Sequence, residues 1–74
     1  MNTQILDMKM NKLAKMIKEN RKKIGISQAE LARRSNLSRE FIRQIENGES
    51  EPSLVTLRRI LKNLNYELDF KKND

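Results

Sequence analysis

SQAELARRSNLSREFIRQIENG, residues 27–48, decides the fold of this 74-residue chain. Ser27 and Glu30 stand three apart ahead of an apolar run, the spacing of a capping box. The serine hydroxyl accepts from the N–H of residue 30, and the glutamate reaches back to the N–H of residue 27. A short helix then runs to about Arg34 and buries Ala29, Leu31 and Ala32. Asn36 tolerates the left-handed backbone of a sharp turn, Leu37 plugs the core, and Ser38 caps the next helix. That helix, residues 39–46, sorts at roughly 100° per residue into two arcs. Phe41, Ile42 and Ile45 face the core, while Arg39, Glu40, Arg43, Gln44 and Asn47 share an opposite arc that no core requires. Gly48 stops it.

Ahead of this segment, Leu13, Met16, Ile17 and Ile24 recur at helical spacing with lysines on the other side, which predicts an amphipathic helix over 11–23. Gly25 ends it. Residues 1–10 are expected as a loose arm, extended around 4–6. Beyond the central pair, residues 49–52 are a loop, and Ser53 caps a fourth helix with the apolar stripe Leu54, Leu57, Ile60, Leu61 and Leu64, ended by Asn65. The tail changes period: Tyr66, Leu68 and Phe70 alternate with Glu67, Asp69 and Lys71, a strand signature. A lone strand leaves its backbone unpaired, so pairing with the same strand of a second copy about a two-fold axis is the simplest solution. A frayed continuation of the fourth helix, or a tail folded on its own domain, remains the alternative. The expected organisation is an arm at 1–10, a helical domain at 11–65, and a dimerisation strand and tail at 66–74.

Composition narrows the function. A domain this small is marginally stable without help. The absence of Cys and His removes disulfides and ordinary zinc sites, which leaves a partner subunit as the help to expect. No apolar run approaches the ~20 residues of a membrane span, and MNTQILDMKM has no signal-peptide pattern. A cytoplasmic chain with no membrane partner is the expectation. The net charge is +6, and residues 9–43 hold eleven Lys/Arg against three acids. Such concentration points to a polyanion, although a solvated lysine-rich surface gives the same numbers. No base, nucleophile, metal cluster or phosphate loop can be assigned, so neither an enzyme nor a cofactor is expected.

Two short helices joined by a tight turn, the second with a free polar face, form a helix-turn-helix. The chain resembles the Cro/phage-repressor (XRE) domain at Arg21, Gly25, Ser27-Gln28, Glu30-Leu31-Ala32, Leu37-Ser38-Arg39, Ile42, Ile45-Glu46-Asn47-Gly48, Pro52-Ser53, Leu57 and Leu64, over about residues 12–65. The resemblance implies an all-α, compact four-helix DNA-binding domain of lambda-repressor-like type, here with a short C-terminal β-strand for dimer pairing. It places the third helix in the major groove of double-stranded DNA. Arg39, Glu40, Arg43 and Gln44 are then the base-reading candidates. Arginine forks guanine, glutamine pairs with adenine, and glutamate accepts from cytosine. Glu40 has a second reading, as a surface partner of Arg43 or nearby lysines. Gln28, Ser38 and Asn47 fall at phosphate-binding positions, while Arg21 and Glu46 sit where similar domains pair an arginine with a glutamate structurally. The family usually has glycine where this chain has Asn36 and Asn65, and often a basic loop where it has Glu49-Ser50-Glu51.

Followed by LKNLNYELDF, the domain looks like the HipB-type antitoxins. That likeness implies a homodimeric repressor on a palindromic operator that also binds a HipA-like kinase toxin. The alternatives are a stand-alone phage or plasmid repressor or restriction-modification controller and, from another class, a protein-interaction adaptor without specific DNA binding.

Overall fold

The computed structural model describes residues 2–66, with side chains from Asn11 onward. Four helices follow in order: α1 (Asn2–Ile24), α2 (Gln28–Ser35), α3 (Arg39–Glu46) and α4 (Leu54–Lys62). α2 packs closely on α3, α1 covers α3, and α4 covers α2. Their shared interior is Ile17, Leu31, Ala32, Ile42, Ile45, Ile60, Leu61 and Leu64, with Leu13, Met16, Ile26, Leu37, Phe41 and Leu57 partly buried around it.

The helix boundaries follow from caps. Ser27, Ser38 and Ser53 each take extended backbone, and each hydroxyl accepts the N–H three residues on, from Glu30, Phe41 and Thr56. All four helices close alike. Gly25, Asn36, Gly48 and Asn65 have positive φ, between 59° and 86°. The next N–H in each case reaches back five residues: Ile26 to Arg21, Leu37 to Ala32, Glu49 to Gln44 and Tyr66 to Leu61. Asparagine does at positions 36 and 65 what glycine does at 25 and 48, so the departure from the family pattern costs the fold little.

Several expectations need correcting. The segment 1–10, expected as a loose arm, is helical in backbone from Asn2. It contains no breaker, and extending a helix already nucleated at residue 11 is far easier than starting one. Ala29 is exposed, because it lies ~110° around α2 from the direction shared by the buried Leu31, Ala32 and Ser35. Ser35 takes the inward place with its hydroxyl buried and without a hydrogen-bond partner among the described residues. Leu54 is 55% exposed, since α4 buries its stripe only beyond the first turn, and Ile24 at the end of α1 is 37% exposed. The returning half of the capping box is not formed, because the Glu30 carboxylate is taken by Arg33 and Arg34. The strand expected at Tyr66, Leu68 and Phe70 lies, after Tyr66, outside the described residues. The helical part of the fold expectation therefore stands, and among the described residues there is no strand.

Candidate nucleic-acid interface

α3 divides the site from the scaffold. Ile42, Ile45 and Glu46 are buried on its inner side. The Arg21 guanidinium crosses from α1 and forks the Glu46 carboxylate, Nε to Oε2 at 2.7 Å and Nη2 to Oε1 at 3.1 Å. A third donor, Arg21 Nη1, reaches the Ile26 carbonyl at 2.9 Å, so the ion pair also fixes the turn into α2. Gln28 Nε2 adds a bond to Glu46 Oε1 at 3.0 Å. Buried charge survives only when paired and hydrogen-bonded, and this carboxylate has three donors. The structural role implied for Arg21 and Glu46 matches this geometry.

That bond bears on Gln28, the expected phosphate clamp. The side chain is half-buried at the start of α2 and committed on one amide hydrogen. Its second hydrogen stays available, because a carboxamide carries two donors. The Ser38 hydroxyl accepts from Phe41 N–H at 3.0 Å and keeps its own proton to donate. Asn47 is exposed at the other end of α3. The N-terminal end of a helix presents unsatisfied N–H groups and a partial positive charge, which suits Ser38 to an anion.

The outer face of α3 is unequal in its freedom. Arg39, at the first helical position, is exposed and makes no hydrogen bond or ion pair among the described residues. One turn on, Arg43 is engaged: Nε to Glu40 Oε1 at 2.9 Å, Nη2 to Glu40 Oε2 at 2.6 Å, and Nη2 to Glu49 Oε1 at 3.3 Å. Gln44 Nε2 bonds Glu40 Oε2 at 3.3 Å, and its Oε1 accepts from Ser50 Oγ at 3.0 Å. The Arg43 bonds hold the Glu40 carboxyl below the usual range, and Glu40, then Glu49, holds Arg43 more firmly protonated. The second reading of Glu40, a surface partner of Arg43, is thus the arrangement seen.

On α2, Arg33 and Arg34 converge on Glu30 at 2.6 and 2.8 Å and lower its pKa to about 2, mainly through the Arg33 hydrogen bonds. Both arginines are exposed in these pairs. The sequence did not give away the Gln28–Glu46 bond or the contact of Glu49 and Ser50 with α3. A usable signal for the second was Gly48, whose left-handed turn returns the loop toward residues 43 and 44.

The likeness to known proteins agrees with this geometry. A family model described as Helix-turn-helix matches residues 17–71. The ImmF control region 10 kDa protein of Bacillus phage phi105 is 39% identical over 61 residues, covering 82% of this chain and 68% of that protein. An HTH-type transcriptional regulator of Methanothermobacter thermautotrophicus is 40% identical over 52 residues, 70% and 75% of the two chains. Among solved structures, the restriction-modification controller protein C.AhdI from Aeromonas hydrophila superposes with a TM-score of 0.77 at 30% identity, over 82% of this chain and 88% of that one. Caps, turns, buried pair and polar outer face thus occur together in a chain that belongs to the XRE-type helix-turn-helix family of DNA-binding transcriptional regulators.

Proposed function

We propose that this regulator is a repressor that binds a palindromic double-stranded operator as a homodimer and acts without catalysis or cofactor. α3 enters the major groove. Arg39 makes the leading base contact, Glu40, Arg43 and Gln44 the others, and Gln28, Ser38 and Asn47 hold phosphates. The carrying observation is Arg39, a guanidinium with no partner among the described residues, at the N-terminal end of a helix whose opposite face is locked into the core. A homodimer suits both the small core and the exposed Leu54, Val55 and Tyr66.

For the biological setting, the named relatives are a phage control-region protein and a restriction-modification controller. They favour a stand-alone phage-type repressor or controller over the HipB-like antitoxin with its HipA-like kinase toxin, and the proposal takes the former. Among the described residues no helix is long and apolar enough to cross a membrane.

The test is selection of duplexes from a random pool, followed by titration of the enriched sequence at several salt concentrations. A palindromic consensus is expected, with affinity falling steeply as salt rises. A protein that enriches nothing and shows no salt-dependent binding is the adaptor instead.

A further inference from the structure

The loop after α3 lies on the reading face. Gly48 turns the chain with φ 74°, and the N–H groups of Glu49 and Ser50 both return to the Gln44 carbonyl, at 2.8 and 3.3 Å. The turn sets Ser50 Oγ against Gln44 and Glu49 Oε1 against Arg43 Nη2. Arg43 therefore sits between two carboxylates, Glu40 and Glu49, in the protein without DNA. Glu51, two residues further on, makes no hydrogen bond or ion pair among the described residues.

We propose that Glu49 is a specificity-determining residue: it competes with DNA for Arg43, so that a matching base edge displaces it and an arbitrary phosphate does not. The inference rests on the base-reading role of α3. A bidentate DNA contact by Arg43 must break part of its double carboxylate cage, because both ways of forking a base use Nη2, whose two hydrogens are taken by Glu40 and Glu49. Guanine repays that loss with two aligned, uncharged acceptors, O6 and N7. A phosphate oxygen brings a negative charge toward Glu49, well within the ~10 Å over which salt leaves charges interacting. The penalty falls mainly on non-specific complexes, so Glu49 increases discrimination rather than affinity.

The experiment compares the full chain with Glu49→Gln and Glu51→Gln, titrated against the selected duplex and a scrambled duplex of the same composition. Glu49→Gln is expected to strengthen scrambled-duplex binding about three- to tenfold and selected-duplex binding less than about twofold, an exposed ion pair and one phosphate-facing charge being worth that much. Glu51→Gln removes the same charge without touching Arg43, and leaves the ratio of the two affinities unchanged. Circular dichroism melts check that all three chains fold. Equal gains on both duplexes, or the same ratio change in both variants, overturn the proposal and reduce Glu49 to general repulsion. A wild type that does not distinguish the duplexes overturns the base-reading role itself, and this inference with it.

Discussion

Two arginine–glutamate forks sit on opposite sides of α3 with almost the same lengths. Arg21 and Glu46 bond at 2.7 and 3.1 Å, and Arg43 and Glu40 at 2.9 and 2.6 Å. Their side-chain exposures differ: 10% and 0% for the inner pair, 40% and 61% for the outer. Distance alone would rank them equal, and burial separates them. The inner carboxylate has no water to fall back on, so its donors are obligatory. Water or a base edge can replace either partner of the outer fork, which makes it free to exchange. One fork holds the helix in place; the other is available for recognition.

Breaking the inner fork should have the largest effect. Glu46→Ala strands the Arg21 charge and leaves Gln28 without its acceptor. Loss of one partner of a buried pair costs about 3–5 kcal/mol, a large share of the stability of so small a domain. A urea titration should show the variant largely unfolded in buffer. A stability near wild type would mean that the inner fork is as replaceable as the outer one.

The outer fork gives the opposite expectation. Glu40→Ala should keep the thermal midpoint within about 3 °C of the wild type, because exposed pairs contribute little. A collapse of the melt would place Glu40 in the scaffold. The smallest effect belongs to Glu30 on α2. Its carboxyl is lowered from 4.5 to about 2 in the fold, so its contribution is present above pH 4.5 and fades as pH falls toward 2. The wild-type melting temperature should decline across that window, and Glu30→Gln should flatten part of the decline. Identical slopes would show that Arg33 and Arg34 do not hold it in solution.

Much of this division was legible in the sequence because local rules carry it. Three serine caps, an asparagine or glycine at each helix end, and the angular sorting of α3 each involve neighbours within one turn or so of chain. The Arg21–Glu46 pair, 25 residues apart, came only through resemblance to the family. Contacts outside both sources are not legible in the sequence. Gln28 and Glu46 are 18 residues apart, and their bond depends on how α2 crosses α3. The competition of Arg33 and Arg34 for Glu30 overrode the expected capping box, because two guanidiniums outbid a single backbone N–H. The helical backbone of residues 2–10 was hidden by the lack of a clear apolar period, although nothing there opposes propagation.

On the proposed function the outer face of α3 reads DNA while its inner face supports the fold, and Arg39→Ala separates the two roles. Arg39 has no partner to lose among the described residues, so the substitution is expected to change binding without a folding cost. Affinity for the selected duplex should fall about tenfold or more, in line with about 1–3 kcal/mol for a bidentate base contact. Scrambled-duplex binding should fall no more than about threefold, with an unchanged melting curve. An equal loss on both duplexes would make Arg39 a phosphate contact, and no loss on either would contradict groove reading by α3.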